Sequence, residues 1–104
     1  MTNQISLVTD SCLSELPSAL FFPTRIHIMK ILYIENEISF VKLRDRVKIR
    51  DGNLVSHFRY LEKEGFVTYR KTFEGRYPST IYSITEKGRK VFQEFRSHML
   101  KVLT

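Results

Sequence analysis

The chain has 104 residues, 42% of them hydrophobic and 27% charged, with four glycines and three prolines. Length and composition fit one domain with one core; they exclude a disordered, collagen-like or linker chain, and the apolar runs of a few residues fall far short of a membrane span. The net charge of +6 is concentrated, since residues 42–71 hold nine basic and four acidic side chains while residues 1–41 hold two and four, which points to a polyanionic partner or, with equal weight on charge alone, to a solvated basic face.

Residues 1–10 are polar and lack a basic region followed by a long apolar stretch, so no signal peptide is expected. Cys12 is the one cysteine. Without an internal disulfide partner it points to a reducing, cytoplasmic setting. A short helix is predicted from Ser11 to Phe22, capped by Ser11 or Ser14, with Pro17 delaying or breaking it. Pro23 suits the first turn of the next helix. Ile26, Ile28, Met29, Ile31, Leu32 and Ile34 make that helix apolar nearly all round, with Arg25, His27 and Lys30 as exceptions, the pattern of a helix central to a core.

Glu35-Asn36-Glu37 reads as a turn and Ile38 as a brief strand. Ser39 is the predicted cap of a helix of about eight residues, in which Phe40, Leu43 and Val47 face inward and Lys42, Arg44, Asp45 and Arg46 outward. After a break at Lys48-Ile49-Arg50, Asp51 is expected to cap a third helix, Gly52 to Glu64, with Gly65 as its C′ terminator. At about 100° per residue, Leu54, Phe58 and Leu61 share a narrow inward sector. Gly52, Asn53, Ser56, Arg59, Tyr60 and Lys63 fall on the opposite side, with His57 and Glu62 at the borders.

The period then changes. Val67 to Phe73 is rich in β-branched and aromatic residues, Glu74 to Pro78 is turn chemistry, and Ser79 to Ile84 is a return strand. The pair reads as a β-hairpin with a longish tip. Thr85 caps the last helix, with Glu86 at its positive end. Val91, Phe92, Phe95, Met99 and Val102 form a stripe along it, longer than one small domain needs.

Two short helices joined by a turn, the second with a polar outward face, make a helix-turn-helix, and a hairpin directly after it makes a wing. Here the sequence also resembles a known family. Phe40 to Arg46, Asp51-Gly52-Asn53-Leu54, His57 to Val67 and Ile84 to Arg89 are similar to the winged-helix transcriptional regulators of the MarR/ArsR type. The likeness is to a small prokaryotic subgroup common in archaea, over roughly Pro23 to the C-terminus. It implies a dimeric DNA-binding repressor or activator. Residues matching the family's ligand pockets and metal sites are not seen.

The expected fold is therefore α+β, mainly α. It is a winged helix-turn-helix over residues 23–84, with an N-terminal extension (1–22) and a C-terminal helix (85–104) forming a dimer interface. Asn53, Ser56, Arg59, Tyr60 and Lys63 suit a major groove, because Asn pairs bidentately with adenine and Arg with guanine or phosphate. Gly52 and Asn53 offer backbone N–H groups to a phosphate at the helix start. Lys42 and Arg50 stand for the basic residues beside the preceding helix, which crosses the backbone in such motifs. Arg70 and Lys71 lie at the wing base, and Arg76 at its tip suits a narrow minor groove.

The expected dimer interface is Leu16, Leu20, Phe21, Val91, Phe92, Phe95, Met99 and Val102, matching a palindromic operator. Aromatics of the wing are read as packing on a helix, with stacking on single-stranded bases as the alternative. His, Cys and carboxylate spacing predicts no metal site, and no nucleophile–base pair predicts an enzyme. The expected partners are double-stranded DNA and a second copy, without a membrane; the sequence is silent on an effector. Two other readings remain: an architectural DNA-binding protein, and a winged-helix module for a protein partner.

Overall fold

The computed structural model describes residue 20 and residues 22–104. The predicted helix from Ser11, its serine caps and Cys12 lie outside the described residues, as do Leu16 and Phe21. The described elements are α1 (Pro23–Glu35), β1 (Glu37–Ser39), α2 (Phe40–Val47), α3 (Asp51–Lys63), β2 (Val67–Glu74), β3 (Tyr77–Ile84) and α4 (Glu86–Leu103). The strands form one antiparallel sheet in the order β1-β3-β2. The chain is thus mainly helical, a helix-turn-helix followed by a hairpin.

Helix α1 is the centre of the core. Ile28, Met29 and Leu32 are fully buried, together with Leu43 from α2, Leu54, Phe58 and Leu61 from α3, and Phe66 before β2. Leu20, Ile31 of α1, Ile38 from β1, Val67 from β2 and Phe92 and Phe95 from α4 complete the cluster. Burying a leucine or phenylalanine of this kind stabilises by about 1.5–3 kcal/mol each. Two positions of α1 depart from expectation. Ile34 is 67% exposed at the end of the helix, and Arg25 is buried.

The helix boundaries follow side-chain and backbone chemistry. Pro23 opens α1, where its missing N–H is no loss. Ser39 caps α2 by accepting from the Lys42 N–H at 3.3 Å. The N-cap of α3 is Arg50, not Asp51; Asp51 is the first helical residue and its carboxylate pairs with Arg44 at 3.3 Å. The carboxylate therefore ties the turn between α2 and α3 and complements the helix dipole from the first turn. At the other end, the Gly65 N–H donates to the Glu62 carbonyl and the Phe66 N–H to the Leu61 carbonyl, both at 2.9 Å. With Gly65 at φ +80° this is a Schellman closure, as the glycine predicted.

The hairpin is tighter than its sequence suggests. β2 and β3 pair from Val67↔Ile84 to Glu74↔Tyr77, leaving a two-residue loop, Gly75-Arg76. Gly75 has φ +63° at the first loop position, where a type II′ turn takes glycine. Turn-forming residues at 74, 77 and 78 thus belong to strands. Pro78 is accommodated because β1 covers β3 only from Ile81 to Ser83, so the outer side of position 78 needs no N–H.

Helix α4 is joined to the hairpin base. The Thr85 hydroxyl accepts from the Gly88 N–H at 2.9 Å and donates to the Gly65 carbonyl at 2.6 Å. A Cβ on Gly88 would stand 2.1 Å from the Phe66 carbonyl oxygen. Only glycine lets the helix approach that backbone.

Candidate nucleic-acid interface

Helix α3 turns one face into the core and the other to solvent. Leu54, Phe58 and Leu61 are buried, while Gly52, Asn53, Ser56, Arg59, Tyr60 and Lys63 are all exposed. Val55 and His57 are half-buried at the borders.

The wing is clamped to this helix by aromatic rings. Tyr82 of β3 stacks on Phe58 of α3 with centroids 3.6 Å apart and planes 12° from parallel. Phe40 of α2 tilts against both, at 6.4 Å and 6.3 Å. Such pairs add about 0.5–1.5 kcal/mol beyond their area burial. Burial first, then the charge of Glu62 and the neighbouring Tyr69, raises the pKa of Tyr82. A cleft of about 330 Å³ remains between helix and wing, lined among others by Arg59, Glu62, Tyr69, Lys71 and Thr80.

Strand alternation separates the two basic residues at the wing base. Lys71 lies on the α3 side of the hairpin and lines the cleft. Arg70 lies on the other side and pairs with Glu37 of β1 at 2.8 Å. That partner raises the Arg70 pKa and lowers that of Glu37. Arg70 thus ties the wing to β1, and it and Lys71 do not act as one patch.

The basic residues around α2 divide similarly. Arg44 pairs with Asp45 and Asp51, and Arg46 with Glu35. Lys42, Lys48, Arg50, Arg59, Lys63, Lys71 and Arg76 are exposed and, among the described residues, make no ion pair. Unpaired cations thus line the α3 face, its N-terminal approach and the wing; Lys30 of α1 and Lys87, Lys90, Arg96 and Lys101 of α4 are likewise exposed without an ion pair among the described residues.

Arg25 is the residue that sequence reading missed. Its Nε donates to His57 Nδ1 at 3.0 Å. Its guanidinium stands 4.2 Å from the ring centroids of both Phe22 and Tyr60. A cation sandwiched by two rings is well compensated for its burial. It braces the flank of α3, holding His57 and Tyr60. Burial, and secondarily the Arg25 charge, lowers the His57 pKa. The hydrogen bond fixes the neutral ring with its proton on Nε2. Sequence alone gave no warning, because an arginine on an apolar helix reads as its solvent edge.

The expected interface residues also divide. Leu20, Phe92 and Phe95 are buried in this chain's own core, so their surface is already spent. Val91 and Met99 are partly buried against it. Val102 is 38% exposed, and its neighbours Leu100 and Leu103 are 53% and 74% exposed. Those two leucines were not among the expected interface residues. Between α1 and α4, Lys30, Tyr33, Ile34, Phe92 and Arg96 line a groove of about 460 Å³.

No helix among the described residues is long and apolar enough to cross a membrane. Among the same residues no group of His, Cys, Asp or Glu is placed to hold a metal.

Known proteins share this architecture. The family profile described as a winged helix DNA-binding domain matches residues 24–103. An uncharacterised protein of Methanocaldococcus jannaschii is 33% identical over 78 residues, covering 75% of this chain and 85% of that one. The structure of a transcriptional regulator homologue from Pyrococcus horikoshii superposes with a TM-score of 0.81 at 29% identity, covering 90% of this chain and 91% of that one. A zinc-responsive MarR family member from Lactococcus lactis, 24% identical, has a TM-score of 0.62, covering 80% of this chain and 56% of that one. That last likeness concerns the fold.

Proposed function

The chain belongs to the winged helix DNA-binding domain family, and from that premise we propose that it is a sequence-specific, homodimeric transcription regulator acting in the cytoplasm. Helix α3 lies in the major groove and the Gly75-Arg76 turn in the adjacent minor groove. The observation that carries this reading is the outward face of α3. Asn53, Ser56, Arg59, Tyr60 and Lys63 are exposed together, beside a wing whose tip cation Arg76 makes no ion pair among the described residues.

Each side chain has a role that its chemistry suits. Asn53 and Arg59 read base edges, with Ser56 allowing close approach between them. Tyr60, held by Arg25, contacts sugar or a thymine methyl. The exposed N–H groups of Gly52 and Asn53 meet a phosphate at the positive end of α3. Lys42, Arg50, Lys63 and Lys71 pair with the backbone on either side. Arg76 enters the minor groove, whose potential rewards a guanidinium. Arg70, paired with Glu37, holds the wing in register with β1 and contributes to the DNA surface only through the field of its charge.

Selection of duplexes from a random pool at near-physiological salt tests the reading. Enrichment of two half-sites about one helical turn apart is the expected result. Equal binding of all duplexes would point to an architectural protein instead. Absence of duplex binding even at low salt would leave a module for a protein partner.

A further inference from the structure

The wing ends in apolar surface that the chain itself leaves bare. Phe73 is 70% exposed and Tyr77 78%. The aromatics nearer the base are engaged, Tyr82 on Phe58 and Tyr69 at 5.8 Å from Tyr82. By alternation, Phe73 shares a sheet face with Tyr69, Lys71 and Tyr82, the face turned toward α3. Its cross-strand neighbour is Pro78. The tip therefore carries an apolar plate, Phe73 with Pro78, directly beside Arg76.

The dimensions fit a duplex. From the anchor at Tyr82 to Arg76 the strand extends about 20 Å, at ~3.3 Å per residue. One turn of DNA is about 34 Å, so a minor groove lies about 17 Å along from the major groove that α3 would occupy. The charges fit as well. Lys71 on the same face and Arg76 at the turn are exposed and make no ion pair among the described residues. They complement phosphates flanking a groove. An apolar ring between two such cations is the arrangement that wedges into the minor groove at deformable steps.

Resting on the DNA-binding reading above, we propose that Phe73, stiffened by Pro78, inserts as a wedge at a pyrimidine–purine step in the minor groove. The wedge partly unstacks that step and bends the duplex toward the major groove. The wing thereby reads DNA deformability, and is more than an electrostatic clamp.

The test uses duplexes that the wild-type protein enriches from a random pool. Permanganate reactivity of thymines reports unstacking, and gel mobility of permuted duplexes reports bending. A reactive thymine at a pyrimidine–purine step beyond the α3 contacts is expected, with a bend. Phe73→Ala should abolish both and weaken binding about tenfold. Phe73→Leu, still an apolar wedge, should keep most of the bend. Because Phe73 is exposed, circular dichroism should find both variants folded.

Enriched duplexes that stay straight and unreactive would overturn the wedge alone, leaving the regulator reading intact. So would unchanged affinity and bending in Phe73→Ala. Tighter binding of single-stranded oligonucleotides than of duplexes would turn the plate into a stacking platform and overturn the wedge. If the wild-type chain enriches no duplex at all, the regulator reading falls and takes the wedge with it.

Discussion

Among single residues, Gly52 makes the sharpest test. A Cβ at Gly52 would meet nothing within 4 Å, and its φ is not in the left-handed region. Nothing inside the chain asks for glycine there, and a helix loses about 0.5–1 kcal/mol by having it. The proposed approach of a phosphate to the start of α3 would supply the missing reason. Gly52→Ala should therefore raise the melting temperature while weakening duplex binding, two readouts that move in opposite directions. A variant that binds as tightly as the parent would remove this phosphate contact. On the groove face, Asn53→Ala or Arg59→Ala should cost about 1–3 kcal/mol on the selected site and relax base preference at one position. Competition binding with single-base variants of the site measures both.

His57 gives the pH dependence at the same scale. Its folded pKa lies below the ordinary 6.5 because of burial and then Arg25. The unfolded chain therefore takes up the proton first, so the site's stability is complete above about pH 6.5 and declines as pH falls through the folded value. Protonation also removes the Nδ1 acceptor that Arg25 uses. Thermal melts should drop more between about pH 7 and about pH 5 in the parent than in His57→Gln, which carries no titrating ring. Equal slopes for the two proteins would dismiss His57 as the group responsible.

At the scale of elements, the junction of α3, the hairpin and α4 holds the proposed DNA-binding surface together. Gly65 closes α3, and Thr85 links the Gly65 carbonyl to the start of α4. Gly88 allows the helix to sit on the Phe66 carbonyl. Gly88→Ala forces backbone apart at that point and should destabilise by about 1–3 kcal/mol in urea unfolding. The wing depends on its ring stack in the same way. Val67 is buried at the start of β2 and Ser79 to Ile84 of β3 are half-buried, and the stack of Tyr82 on Phe58 fixes the hairpin to α3.

For the whole molecule, salt and mass are the informative measurements. Lys42, Arg50, Lys63 and Lys71, the cations assigned to the DNA backbone, make no ion pair among the described residues. If each neutralises one phosphate, log affinity should fall with log salt at a slope of about −4 per chain. A slope near zero would rule out a backbone-tracking surface. For the proposed dimer, light scattering should give twice the 12.4 kDa of one chain. Leu103→Asp, at an exposed position of α4, should reduce this to a single folded chain. Phe95→Asp should instead unfold the domain, because Phe95 is 4% exposed in the core of one chain.

Much of the architecture was written in local patterns. The apolar period of α1, the Ser39 and Thr85 caps, Gly65 after α3 and the change of period at Val67 each depend on residues within a few positions of one another, and that is why sequence reading located them. The outward face of α3 was legible for the same reason. Contacts between distant segments decided the rest. Arg25 meets His57 across 32 positions, Arg70 meets Glu37 across 33, and Phe95 joins a core that a helical stripe alone assigns equally to a partner. The stripe states that a face must be covered; only the packing of the folded chain determines what covers it.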